Sequence, residues 1–178
     1  MTPEPAQLVP FPLQPFIPQV QVPQRGVDLI KNPRTVARRL MRNVASGPLP
    51  ALALRVQNRA REEVREFLYE NGFREHRLYV LEFAGRHPHV KIGYSSDPWG
   101  RLAHHVGEAN RWYHTLIQAH VSEPLGDKPS GKRAEAEAYS FMRRLYRTAP
   151  SSREKFMDAD FEVGKTCAGC AVLLTNPA

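Results

Sequence analysis

The second half of the sequence carries, in chain order, side chains of the types that act on phosphate esters and metal ions. They are Tyr79, Lys91, Arg101, His105, Glu135 and Glu137. A guanidinium binds phosphate through two donors, an imidazole transfers protons near neutral pH, and a carboxylate binds a divalent cation. Each residue alone has an ordinary structural explanation, such as a half-buried strand tyrosine or a charged helix face. Their joint order indicates a site.

The hydrophobic pattern of residues 77–178 predicts the strands and helices that position these side chains. In chain order they are a strand at 77–83, a strand at 89–94, a helix at 98–106, a strand at 112–121, a helix at about 132–147 and one or two short edge strands between 155 and 174. The turn between the first two strands makes them a β-hairpin. Asp97 followed by Pro98 is typical of a helix start. We therefore expect an α+β domain: a small three-stranded sheet, mixed or antiparallel, flanked by helices.

The residues on this framework resemble the GIY-YIG nuclease superfamily, and within it the phage and fungal branch whose second signature reads KIG. The matching segments are LYVLEF (78–83), VKIGYSSDPWGRLAHH (90–105), AEAEAYSFMRRL (134–145) and, more loosely, REKFM (153–157). The resemblance runs from Leu78 to about Phe156 and leaves the first 77 residues without a counterpart. It implies a metal-dependent endonuclease that hydrolyses DNA phosphodiester bonds.

The resemblance implies a role for each matched residue. Tyr79 would act as general base or orient the attacking water, and Arg101 would hold the scissile phosphate. Lys91 stands where most of the superfamily has a second tyrosine; a lysine stabilises phosphate charge but cannot replace a phenol. His105 shares a helix face with Arg101 and would shuttle a proton or hold a phosphate. A fold that binds DNA without cutting it is the alternative.

The resemblance also implies one carboxylate that binds Mg²⁺ or Mn²⁺, and two glutamates compete for this role. Glu137 precedes Phe141 by one turn on the apolar stripe of its helix, and Glu135 precedes Tyr139. An inward carboxylate is costly unless a cation neutralises it. We therefore favour Glu137 as the metal ligand and keep Glu135 as the alternative.

Residues 32–76 predict a basic helical region, with one helix from Pro33 and a second from about 51 to 70. Between Arg25 and Arg61 the chain has nine basic residues and one acid, and the net charge of the whole chain is +7. Such a surface favours the phosphate backbone of DNA over a solvated role. The predicted contacts are Arg34, Arg38, Arg39, Arg42, Arg55 and Arg59. No base-reading motif is visible, so we expect largely non-specific binding.

Residues 1–31 predict an extended proline-rich arm, since residues 1–24 hold seven prolines. Phe11, Phe16 and Ile17 would allow it to dock on the protein or on a protein partner; a disordered tail is the alternative. A third functional class is an adaptor. It would use this arm and would bind an acidic protein or a membrane through the arginines.

The chain has no apolar run of membrane-spanning length and no basic segment at its start, which predicts a cytoplasmic protein without a membrane partner. Cys167 and Cys170 are too few for a four-ligand zinc site or a disulfide framework. We expect them to be buried or incidental thiols.

Overall fold

The computed structural model describes residues 32–150 and 152–176, so the proline-rich arm predicted for residues 1–31 lies outside the described residues. The elements are α1 (Pro33–Met41), α2 (Ala51–Asn71), β1 (Arg77–Ala84), β2 (His89–Ser95), α3 (Pro98–Arg111), β3 (Thr115–Val121), α4 (Lys128–Leu145), β4 (Thr148–Ala149), β5 (Ser152–Met157) and α5 (Phe161–Thr175). The predicted α+β class is confirmed. Within the described ranges, none of the helices combines the length and apolarity required to cross a membrane.

All five strands form one antiparallel sheet in the order β3-β1-β2-β5-β4. The β1–β2 hairpin sets Tyr79 opposite Gly93 and Leu81 opposite Lys91. The predicted number of three strands is wrong, because β5 continues the sheet beyond β2 and carries β4 on its outer side. Lys91 in turn pairs with Lys155 of β5. The hairpin that carries the predicted site is therefore covered on both edges.

Alternation along β1 divides the interior into two apolar layers. Tyr79 and Leu81 point to the face covered by α2 and α3, whereas Leu78 and Val80 point to the face covered by α4 and α5. Helix α1 packs against the beginning of α2 and the edge of the sheet. Helices α1 and α2 therefore both bury apolar residues against the sheet.

Aspartates begin two of the helices that carry predicted site residues. The Asp97 side chain accepts a hydrogen bond from the backbone N of Gly100 at 3.0 Å, so α3 begins where the sequence predicts. The Asp127 side chain accepts from the backbone N of Ser130 at 2.8 Å. This second cap lets α4 begin about one turn earlier than predicted.

The last element corrects a prediction, because residues 161–175 form a helix and not a short edge strand. The Asp160 carboxylate caps it by accepting from the backbone N of Glu162 and Val163, at 2.8 and 3.2 Å. Its buried residues are Phe161, Gly164, Cys167, Ala168 and Ala171. Their spacing of three or four residues is helical. The apolar run at 172–174, which suggested a strand, is the last turn of this helix.

Candidate active site

A tyrosine and a histidine from different elements meet between the sheet and α3. The Tyr79 hydroxyl of β1 and Nε2 of His105 are 3.0 Å apart, which is hydrogen-bonding distance. Both residues are buried, with exposed fractions of 3% and 5%. The contact brings together two residues that the sequence predicts for one site.

The glycine of the KIG sequence provides the space for this phenol. Gly93 lies directly across from Tyr79 in the β1–β2 ladder. A Cβ atom at position 93 would collide with the Tyr79 hydroxyl oxygen and would lie 2.5 Å from the ring carbon Cζ. Any side chain at this position would therefore displace the phenol.

Arg101 lies on α3 one turn before His105, and its guanidinium lies beside the Tyr79 hydroxyl. Burial raises the pKa of Tyr79 to about 12, although the Arg101 charge acts in the opposite direction. The same contact with the phenol raises the pKa of Arg101. Arg101 is an exposed residue. A solvent-facing guanidinium thus adjoins a buried, protonated phenol.

Burial keeps the His105 imidazole neutral at physiological pH. Desolvation lowers its pKa to about 4, and the positive charges of Lys91 and Arg101 lower it as well. The Glu108 carboxylate, with Oε2 3.6 Å from Nδ1, acts in the opposite direction. We assign the single proton to Nδ1, which faces this carboxylate, so that Nε2 accepts the hydrogen bond from the Tyr79 hydroxyl.

Lys91 lies on β2 close to His105, and its ammonium forms an ion pair with the carboxylate of Glu154 on β5. The Lys91 side chain is 7% exposed and that of Glu154 40%. The sequence predicts Lys91 for the site but not Glu154, whose only signal is the loosely matching segment 153–157. The omission has a structural cause, because the pair forms only when β5 joins the sheet beside β2.

The two competing glutamates of α4 point in different directions, and the expectation that Glu137 faces inward is wrong. Glu137 is exposed, whereas Glu135 is half-buried. Oε1 of Glu135 accepts hydrogen bonds from the backbone N of Tyr94 at 3.0 Å and from the Tyr139 hydroxyl at 3.1 Å. Helix α4 packs closely on β2 through Gly131, against which the Tyr94 ring lies. Residue 135 follows Gly131 by one turn and therefore faces the same strand.

The surroundings of Glu135 fit a single hydrated Mg²⁺ or Mn²⁺ ion. Burial raises the pKa of its carboxyl group, and the charge of Glu154 raises it further while Lys91 lowers it. Both hydrogen bonds fall on Oε1, which leaves Oε2 for a cation. A carboxylate whose charge is disfavoured by burial is stabilised when a cation neutralises it. Oxygen ligands and retained water are what these ions prefer.

An open groove of about 500 Å³ adjoins the Tyr79–His105 pair. Its walls include Lys91, His105, Trp112 and Lys155. The Trp112 side chain is 72% exposed. Basic and aromatic side chains in one groove are the combination that binds the backbone and bases of nucleic acids.

Three of the six arginines predicted to bind DNA are held in ion pairs. Arg34 and Arg59 contact Glu63 at 2.7 and 3.2 Å. Arg38 donates two hydrogen bonds to Glu82, at 2.6 and 2.7 Å. The two acids that pair with these three arginines, Glu63 and Glu82, lie after Arg61 and so outside the stretch with nine basic residues and one acid. DNA contact through these arginines stays a prediction.

The other three predicted contacts, Arg39, Arg42 and Arg55, are exposed. They stay candidates for binding a phosphate backbone. Glu82, which holds Arg38, lies three positions after Tyr79 on β1, so the two side chains point to opposite faces of the sheet. Arg38 therefore lies away from the candidate active site.

Cys167 and Cys170 lie within α5, where the first is buried and the second exposed. Burial raises the pKa of the Cys167 thiol. A metal ligand or a redox nucleophile requires the thiolate, which this environment disfavours. Cys167 is thus a buried thiol, as predicted, whereas the role of Cys170 stays a prediction.

Comparisons of the chain with protein-family models, curated proteins and solved structures found no match. The resemblance to the GIY-YIG nuclease superfamily stays a prediction from the motifs.

Proposed function

We propose that this protein is a metal-dependent endonuclease that hydrolyses DNA phosphodiester bonds. The observation that carries the proposal is the 3.0 Å contact between the Tyr79 hydroxyl and Nε2 of a neutral His105, with Arg101 beside the same hydroxyl. A proton acceptor, a proton relay and a phosphate-binding group are thus adjacent.

Proton transfer would run from the attacking water through Tyr79 to His105. A phenol with a pKa of about 12 does not ionise by itself at neutral pH. It can take a proton from water only if it releases its own, and Nε2 of His105 is placed to accept that proton. The buried imidazole would therefore be the final proton acceptor, and the phenol would relay the proton from the attacking water to it.

Charge stabilisation would come from Arg101 and Lys91. The exposed guanidinium of Arg101 offers paired donors to a phosphate that approaches Tyr79. Lys91 is bound to Glu154, and an incoming phosphate would compete with that carboxylate for the ammonium. A divalent ion held by Oε2 of Glu135 would stabilise the leaving 3′-oxygen.

The test is cleavage of supercoiled plasmid in Mg²⁺ or Mn²⁺ by the wild type and by three variants, Arg101→Ala, Glu135→Gln and Glu137→Gln. We expect nicking or linearisation by the wild type and by Glu137→Gln. Glu137→Gln is the matched control, because it makes the same change on the same helix at an exposed residue. Arg101→Ala and Glu135→Gln should each lose roughly a hundredfold or more in rate, which is typical when a group that stabilises transition-state charge is removed. Cleavage by both of these variants at the wild-type rate would refute the proposal.

The runner-up is a DNA-binding module without nuclease activity. The observation in its favour is the Lys91–Glu154 ion pair, since a lysine that is already neutralised replaces the second tyrosine of the superfamily pattern. Metal-free DNA binding by all variants, with no cleavage by the wild type in either metal, would favour this function.

A further inference from the structure

Among the described residues, one nitrogen of the candidate base, Nδ1 of His105, has no hydrogen-bond partner. Nδ1 of His105 is buried and makes no hydrogen bond within the described part of the chain. The residue is only 5% exposed. A buried polar atom without a partner costs free energy, so such an atom calls for an explanation. Nδ1 points toward the carboxylate of Glu108, whose Oε2 is 3.6 Å away and so beyond normal hydrogen-bonding distance.

A second histidine lies in a cluster with His105 and Glu108. His104, His105 and Glu108 lie on α3, and one ligand atom from each lies within 4.8 Å of the other two. Residues three and four positions apart share a helix face, so Glu108 can reach both imidazoles. Two ligand atoms bound to one tetrahedral Zn²⁺ at about 2.0–2.1 Å are about 3.4 Å apart. The observed separation of Nδ1 from Oε2 is close to this value.

We propose that His104, His105 and Glu108 form a second metal site for a transition ion such as Zn²⁺. An ion bound there inhibits the nuclease, because it changes which nitrogen of His105 carries the proton. Two imidazoles and one carboxylate are the ligand set of many zinc sites that keep an open position. Mg²⁺ prefers oxygen ligands, so the ion expected at Glu135 does not compete here.

The inhibition follows from the two nitrogens of one ring. An ion on Nδ1 uses the lone pair of that nitrogen, so the single proton of the neutral imidazole must lie on Nε2. Nε2 then donates to the Tyr79 oxygen instead of accepting from its hydroxyl. His105 can no longer receive the proton that Tyr79 must release. This regulatory step rests on the proposed nuclease function, whereas the metal site itself does not.

The site is tested by titrating the full chain with Zn²⁺ in competition with a chromogenic chelator. We expect one ion per chain, and roughly tenfold or greater weakening in His104→Ala and Glu108→Gln, since each removes a ligand. His87→Ala is the matched control, because His87 is an exposed histidine outside the cluster. Equal affinity of the wild type and His104→Ala for Zn²⁺ would overturn the site, whatever the activity of the protein.

The switch is tested by two further measurements. The ¹⁵N spectrum of the Zn²⁺-bound protein should show the metal on Nδ1 of His105 and the proton on Nε2; a proton that stays on Nδ1 overturns the switch. In Mg²⁺-supported plasmid cleavage, Zn²⁺ should inhibit the wild type over the range in which it binds, and His104→Ala should keep its basal rate and resist inhibition. Equal inhibition of both proteins also overturns the switch. If the wild type cuts no DNA, the proposed function fails, and the titration and the spectrum still decide this inference.

Discussion

Gly93 and Tyr79 face each other across the β1–β2 hairpin so closely that the glycine has no room for a side chain. The phenol lies over the Gly93 backbone and reaches His105 from there. The Tyr79 hydroxyl can therefore occupy its position only because residue 93 on the neighbouring strand has no Cβ atom. This gives the glycine of the KIG sequence a steric function.

Gly93→Ala should therefore displace the Tyr79 ring and abolish most cleavage. The added methyl group overpacks a buried position, which typically costs about 1–3 kcal/mol of stability. Gly107→Ala is the control, because a Cβ at that α3 position meets no atom of the described residues within 4 Å. Urea unfolding and plasmid nicking measure the two effects. Wild-type cleavage by Gly93→Ala would mean that the Tyr79–His105 contact is not required.

The low pKa of His105 should appear as an acid-dependent loss of stability. Desolvation and the nearby Lys91 and Arg101 charges lower the pKa from 6.5 to about 4 in the folded chain. Between these values the unfolded chain binds the proton and the folded chain does not, so the free energy of unfolding falls as the pH drops from 6.5 toward 4. Above pH 6.5 the imidazole is neutral in both the folded and the unfolded chain, so its protonation no longer lowers the free energy of unfolding.

Two measurements check this behaviour of His105. An NMR titration should give a midpoint near pH 4 for its ring. Urea unfolding should show a weaker pH dependence between pH 4 and 6.5 in His105→Asn than in the wild type. A ring that titrates near 6.5 would show that the imidazole is solvated, and the proton relay through Tyr79 would lose its basis.

The sequence predicts much of the site because its positioning signals are local. The strand formers around Tyr79, the KIG sequence and the Asp97 helix cap each act within a few residues. They place Tyr79, Arg101 and His105 on elements that the structure brings together. The resemblance to a known motif order suggests that these residues share one site, which local signals alone do not predict.

Two missed features of the candidate site depend on contacts between distant parts of the chain. Strand β5 adds to β2 more than 60 residues after it in sequence, and the Lys91–Glu154 pair follows from that addition. The inward direction of Glu135 depends on how α4 packs on Tyr94 through Gly131. Helical periodicity identifies the buried residues of α4. It does not determine whether Glu135 or Glu137, on either side of these residues, faces the sheet.

Arg38 should stabilise the fold, whereas its neighbour Arg39 should not. The Glu82 side chain is only 13% exposed. In Arg38→Ala its carboxylate would keep the Gln118 amide as a hydrogen-bond donor but lose the guanidinium. We expect a loss of about 1–3 kcal/mol, because hydrogen bonds to a charged group typically contribute about that much. Arg39 is exposed, and Arg39→Ala should change stability by less than about 0.5 kcal/mol. Equal urea midpoints for the two variants would contradict a structural role for the Arg38–Glu82 pair.

The exposed arginines of α1 and α2 should instead determine the salt dependence of DNA binding. Each phosphate neutralised by a protein cation adds about 0.9 to the slope of log K against log salt concentration. Replacing Arg39, Arg42 and Arg55 together with alanine should therefore reduce the slope by up to about 2.7 if each contacts one phosphate. Arg65→Ala is the control, since Arg65 lies on α2 and contacts Glu62 at 3.5 Å.

Fluorescence anisotropy with a short duplex, at several salt concentrations and without divalent metal, measures these slopes. The affinity of the triple variant should fall by a similar factor for unrelated duplex sequences, because backbone contacts carry no base information. A slope equal to that of the wild type would show that this surface does not contact the phosphate backbone. DNA binding would then depend on the groove that Lys91 and Lys155 line beside the candidate active site.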